Sequence, residues 1–147
     1  MTVTVRPATG DDLAVLGALL AELHPDDPAL PPEQAAGIWQ DIADQSGRTV
    51  LIAERDGLAV GTVDCLVVPN LTRGGRPFML VENVVVAGSA RRQGVASRLF
   101  DEVIDRAREA GCYKIQLLSR AERDGAHRFY ESRDLRPIAK GFRRYLD

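Results

Sequence analysis

The chain is predicted to fold as an α/β (α+β) protein, with a mixed, mostly antiparallel sheet of about seven strands flanked by four helices. Three observations carry this reading. Apolar residues recur with a period of two in some segments and at three-and-four spacing in others, in the order β-α-α-β-β-β-α-β-α-β-β. One stretch, Leu80 to Gly111, passes from a valine-rich run through a short turn into a long amphipathic helix, so the strand that follows should be a parallel neighbour reached by a right-handed crossover. At 147 residues the chain is long enough for one core, and a single domain over residues 1–147 is expected.

Each element has a local reason. Val3 and Val5 alternate with polar residues up to Pro7, a short strand. Thr9 caps the next helix with Asp12 in its third position, and Leu13, Leu16, Leu19, Leu20 and Leu23 form one apolar stripe. Prolines 25, 28, 31 and 32 interrupt it, and Glu33 to Gln45 resumes helix with Ile38, Trp39 and Ile42. Thr49–Glu54 and Leu58–Val68 flank Arg55-Asp56-Gly57 as a β-hairpin. After the polar loop Pro69–Pro77 come the Leu80–Val86 strand and a helix that presents Val95, Leu99, Phe100, Val103, Ile104 and Ala107, with Glu102 and Arg106 paired on the outside and Gly111 as its stop. Tyr113–Ser119 reads as a strand, and Gly125–Ser132 as a short helix that Asp124 can cap. Leu135–Ile138 and Phe142–Leu146 read as a closing hairpin.

Composition narrows the function. With 45% hydrophobic and 27% charged residues and a net charge of -2, the chain does not read as a nucleic-acid binder. It shows no secretory signal and no run able to cross a bilayer, so no membrane partner is expected. Cys65 and Cys112 are too few for a disulfide framework and lack metal-ligand spacing, so they read as reduced thiols of a cytoplasmic protein, with no metal implied.

The strongest chemical signal is an anion site. A strand that hands over to a helix N-terminus offers unpaired amides and a positive dipole end. The P-loop and three-glycine dinucleotide fingerprints are absent, and Arg91-x-x-Gly94-x-Ala96 stands at the junction instead. Following Val84-Val85-Val86, this resembles the GCN5-related N-acetyltransferase (GNAT) superfamily, whose motif is [QR]-x-x-G-x-[GA] after a valine-rich strand. The resemblance follows element order along nearly the whole chain. It implies acetyl-CoA as co-substrate, with Arg91, Arg92, Gln93, Gly94, Val95, Ala96 and Ser97 toward its pyrophosphate. It also implies a strand that splays from its parallel neighbour, placing Val84, Val85 and Val86 beside pantetheine.

Two catalytic candidates follow. Ala126-His127-Arg128-Phe129-Tyr130-Glu131 resembles the family's A-x-x-[FL]-Y-E segment, implying that Tyr130 lies near the CoA sulfur; its alternative is a packed aromatic. Where the family usually continues K-x-G-F, this chain has Ser132-Arg133-Asp134-Leu135, which alters the helix exit. Glu82, expected on one buried face with Leu80, Val84 and Val86, is either the base for the acceptor amine or a carboxylate bonded to an arginine or backbone. Asn83 points to the other face, toward acceptor or as part of a bulge.

The acceptor is expected to be a small-molecule amine, with a protein or peptide amine, or a non-catalytic CoA-binding module, as alternatives. Glu82-Asn83 and Gly111–Ile115 also resemble the glucosamine-phosphate acetyltransferase branch, for which Arg73, Arg76, Arg120 and Arg123 are the available cations. His24, Asp26 and Asp27 fall where the superfamily builds its acceptor wall, His127 stands one turn before Tyr130, and Cys112 is poorly placed to be a nucleophile. A homodimer through the last strands is common in similar proteins.

Overall fold

The alternating valines at the start of the chain form an outer strand, β1 (Val3–Pro7), which pairs antiparallel with β2 (Arg48–Arg55). In a computed structural model, which describes residues 2–119 and 124–147, β2 continues through a two-residue turn into β3 (Leu58–Val68). Asp56 and Gly57 take φ 53° and 77°, the conformation that matches the twist of a tight hairpin. β4 (Phe78–Val86) adds antiparallel to β3, and β5 (Ile115–Leu117) adds parallel to β4, giving one sheet in the order β1-β2-β3-β4-β5.

Helices α1 (Leu13–Leu23), α2 (Pro32–Asp44), α3 (Val95–Glu109) and α4 (Asp124–Ser132) complete the fold. Pro32 occupies the first turn of α2, where its missing N–H costs nothing. The α3 stripe predicted from the sequence is the centre of the core: Val95, Leu99, Phe100 and Val103 are fully enclosed with Leu51, Val63, Met79 and Val81. Gly61 lets α3 sit close, since a Cβ there would lie 2.9 Å from Val95 Cγ1 and 3.2 Å from Leu99 Cδ1. Leu16 and Leu19 of α1 are buried outside this cluster, together with Ile52, Thr62 and Val85, so the sheet is covered on both faces.

The entry to α1 is fastened by polar contacts. Thr9 Oγ1 accepts from the Asp11 N–H at 3.3 Å and the Thr9 N–H donates to Asp12 Oδ2 at 2.7 Å, the expected capping box, although the first turn is a 3₁₀ turn over Gly10–Asp12. Arg6 donates to both Asp12 oxygens at 2.8 Å and to Glu54 Oε1 at 2.6 Å, tying β1, the cap and β2 through one guanidinium.

The closing hairpin expected at Leu135–Ile138 and Phe142–Leu146 does not form, and the sheet has five strands rather than about seven. The parallel pair is therefore at the sheet edge and not at its centre. The reason is a shortage of template. β5 is three residues long instead of the Tyr113–Ser119 run expected, and a Cβ on Gly141 would lie 2.6 Å from Leu118 Cδ2, so the tail rides over that side chain. Ile138, Phe142 and Leu146 remain more than 80% exposed.

The Arg6 guanidinium holds the buried Asp12 carboxyl down at about 2, below the ordinary carboxylate range. Because the folded carboxyl is the more acidic, its stabilisation is complete above about pH 4 and is lost as pH falls toward 2. Asp12→Asn should cost about 1–2 kcal/mol at pH 6 and much less near pH 2, read by urea unfolding at the two pH values.

Candidate active site

β4 and β5 are joined over only three residue pairs, Met79 with Ile115, Leu80 with Gln116 and Val81 with Leu117. β4 then runs on to Val86 with no strand partner on that side among the described residues, so the two strands part and leave a cleft of about 610 Å³. A second hollow, of about 490 Å³, lies at the Pro69–Pro77 loop, but none of its lining residues is titratable.

A bulge marks the point of divergence. Asp64 pairs with Glu82 and Thr62 with Val85, so Val63 faces both Asn83 and Val84, and Asn83 takes φ 52°. The extra residue reverses the alternation. Val84 and Val86 pack against the same core cluster as Met79 and Val81, while Val85 is buried outside it, on the side of Leu80 and Glu82. The expectation that Glu82 shares a buried face with Val84 and Val86 is therefore corrected, because period-two counting does not survive an inserted residue. Glu82 is exposed and lines the cleft with Asn83.

At the far end of the cleft the chain makes a 3₁₀ turn over Gly88–Ala90, then reaches α3 through two left-handed residues, Arg92 (φ 63°) and Gly94 (φ 79°). Gly94 is the N-cap and has no side chain to bond the first amides of α3, so those of Val95, Ala96 and Ser97 have no capping partner. Of the predicted cofactor-binding residues, Val84, Val85, Val86, Arg91 and Ala96 line the cleft. Arg92, Gln93, Gly94, Val95 and Ser97 are not part of its wall. Gln93 Nε2 donates to Ser89 O at 3.3 Å, and the Val95 side chain is buried in the core, so this residue can offer only backbone.

α4 brings Tyr130 to the same cleft, beside Phe129, Ala126 and Gly125. Tyr130 is 8% exposed, and its ring packs at 5.6 Å from Phe100 and 5.8 Å from Phe129, which helps fix its position. The missing glycine does not spoil the helix exit. Asp134 takes φ 60°, and the Leu135 N–H donates to Tyr130 O at 2.9 Å, closing the helix as a glycine would.

The remaining wall comes from parts the sequence reading missed or marked only lightly. Glu22 and His24 enter from the end of α1, Ser119 from beyond β5, and Arg143 and Tyr145 from the C-terminal tail. The Gly88 N–H donates to Glu22 Oε1 at 2.8 Å, linking α1 to the turn before α3. Asp26, Asp27 and His127 do not line the cleft, and Trp39 lies near Gly10 instead. Arg73 sits 5.2 Å from the Tyr113 ring centroid and Arg76 donates to the carbonyls of Gly111 and Cys112, so neither serves the cleft; Arg120 and Arg123 lie outside the described residues. Burial pushes the Cys65 thiol up to about 11 and raises that of Cys112, and neither cysteine reaches the cleft.

Residues 16–134 match the Acetyltransferase (GNAT) family. The chain is 33% identical over 82 residues to a glucosamine 6-phosphate N-acetyltransferase of Trypanosoma brucei brucei, covering 52% of this chain and 56% of that one. It is 33% identical over 105 residues to the Oryza sativa subsp. japonica protein named probable glucosamine 6-phosphate N-acetyltransferase 2, covering 68% and 63%. The matches thus span less than two thirds of either curated relative. A solved structure from Agrobacterium tumefaciens str. C58, described as an acetyltransferase, superposes with a TM-score of 0.93 at 34% identity, over 97% of this chain and 99% of that one.

The helix exit below Tyr130 gives a direct test. Asp134 pays a left-handed backbone strain that glycine avoids, and places a carboxylate at a helix C-terminus, where the dipole is unfavourable. Its ion pair with Arg136 at 3.3 Å is largely exposed and offsets little. Asp134→Gly should raise stability by about 0.5–1 kcal/mol, seen as a higher denaturant midpoint.

Proposed function

Because the chain belongs to the Acetyltransferase (GNAT) family, we propose that it is an N-acetyltransferase that carries an acetyl group from acetyl-CoA directly to a primary amine of a small molecule. The observation that carries this reading is the continuity of one cleft from the parted strands to the uncapped start of α3. An extended amide-bearing arm can pair with the free edge of β4 at Val84–Val86. A diphosphate suits the amides of Val95–Ser97, with Arg91 and Arg92 adding charge and Gln93 and Gly94 shaping the approach.

The acceptor amine must lose a proton before it can attack, since an alkylammonium has a reference pKa of about 10.4. Glu82 stands in the cleft and takes that proton, directly or through water. Unpaired backbone at the Asn83 bulge polarises the thioester carbonyl. Tyr130 supplies a hydrogen bond or proton to the departing thiolate, its phenol being the weaker acid, about 10 against about 8.5. Direct attack is favoured over an acetyl-cysteine route because both thiols are raised and lie away from the cleft.

The glucosamine 6-phosphate acetyltransferases among the relatives make a phosphorylated amino sugar the first acceptor to try. A non-catalytic CoA-binding role is the second reading, and the presence of both Glu82 and Tyr130 on one cleft weighs against it. The free thiols suit a reducing, cytoplasmic setting, and the exposed apolar side chains of the tail favour a homodimer. Among the described residues no helix is long and apolar enough to cross a membrane.

The activity is tested by supplying acetyl-CoA with a panel of amines and following free thiol. Tyr130→Phe should lower kcat by about 100-fold with little change in the acetyl-CoA KM, and Glu82→Gln should lower kcat/KM for the amine by a similar factor. Gly94→Glu meets no protein atom within 4 Å of its Cβ, although φ 79° strains any side chain there, and it places a carboxylate at the proposed diphosphate site; calorimetry should show CoA binding lost while circular dichroism shows the fold kept. Binding of acetyl-CoA without turnover of any amine would support the non-catalytic role.

A further inference from the structure

We infer that Arg143 recognises an oxyanion on the acceptor, so that the natural acceptor is a small amine carrying a phosphate or carboxylate group. This rests on the N-acetyltransferase reading and names the substrate class for the same cleft. The argument starts from where the tail crosses β5. A Cβ on Gly141 would meet the Leu118 side chain, and Leu118 follows directly on Leu117, the β5 residue that pairs with Val81. By that register Leu118 stands level with Glu82, and by alternation on the same side of the sheet. Arg143, two residues beyond Gly141, lines the cleft and so joins it at the Glu82 end, away from the amides that open α3.

The charge pattern there is divided. Glu82 contributes a carboxylate from β4 and His24 an imidazole from the end of α1, whereas Arg143 contributes from the tail; Glu22 also lines the cleft but is held at the α3 end by the Gly88 N–H. Among the described residues Arg143 pairs with no carboxylate, and Arg91, the other arginine of the cleft, stands at the α3 end, where its Nε donates to Val86 O at 3.5 Å. Its Nη1 donates to Tyr145 Oη at 3.2 Å and its guanidinium lies 5.8 Å from the Tyr145 ring centroid, contacts that hold it without neutralising it. A site with the Glu82 carboxylate on one wall and a held, unneutralised guanidinium on another complements a molecule with an ammonium at one end and an oxyanion at the other.

The sequence reading sought such a cation in the loops at Arg73 and Arg76, which the structure turns elsewhere. The test uses three acceptors that share one amine: glucosamine, glucosamine 6-phosphate and 2-amino-2-deoxyglucuronate, each at saturating acetyl-CoA. The wild-type chain should favour at least one charged sugar over glucosamine by about 30-fold in kcat/KM, and Arg143→Gln should remove that preference through KM. The acetyl-CoA KM should stay unchanged, and glucosamine should lose far less than the charged sugars. Preference for phosphate or for carboxylate identifies the oxyanion. Equal use of all three sugars, or an equal loss on all three in Arg143→Gln, overturns the inference and leaves the enzyme reading intact. Bound acetyl-CoA with no transfer to any of the three overturns the inference, and no transfer to any amine of the wider panel overturns both.

Discussion

A parallel ladder of three residue pairs is all that joins β4 to β5, and what the cleft can do depends on where that ladder stops. Had it continued to Val86, the backbone that borders the cleft would be spent on β5, and there would be no room for a ligand. It stops where β4 also acquires an extra residue against β3. The bulge at Asn83 raises the local twist and lets β4 leave β5 while staying bonded to β3 up to Val86. One inserted residue thus opens the cleft, turns Glu82 to the α1 side and keeps Val84 and Val86 on the α3 side.

Two helix starts in this chain solve the same problem in opposite ways. At the entry to α1 the unpaired amides are met by Thr9 and Asp12, and Arg6 secures the carboxylate. At α3 the cap is Gly94, which meets none. An unsatisfied helix terminus is stabilising only when a ligand completes it, so the fold has secured the end it uses as scaffold and left open the end that faces the cleft. The aromatic group of Phe100, Phe129 and Tyr130 plays the matching part for α4, carrying the phenol on rings packed against the core.

Local chemistry was legible in the sequence. Asp56-Gly57 named its turn, Thr9 and Asp12 their cap, and Arg91-x-x-Gly94-x-Ala96 its place at a helix start, because each depends on neighbours a few residues away. The face of Glu82 was not legible, since a bulge is a relation between two strands and Asn83 alone does not announce it. Nor was the fate of Phe142–Leu146: an alternating apolar pattern states that a segment can pair, and only the length of β5 decides whether a template is there. Arg143 was passed over for the same reason, being distant in sequence from all it shares the cleft with except Tyr145. Asp134 read as a break in a motif, yet its backbone adopts the glycine-like conformation the helix exit needs.

The gap at Gly61 reaches beyond packing. α3 begins with amides that no side chain caps, and its first turn rests on β3 at the one point where that strand has no side chain to hold it off. The spacing between the two layers is therefore set by a hydrogen atom, and any larger substituent would lift the start of the helix relative to β4. For anyone reshaping this scaffold, the tail is peripheral and open to variation. The start of α3 has no such freedom, because its height over the sheet is calibrated from beneath by an interior glycine.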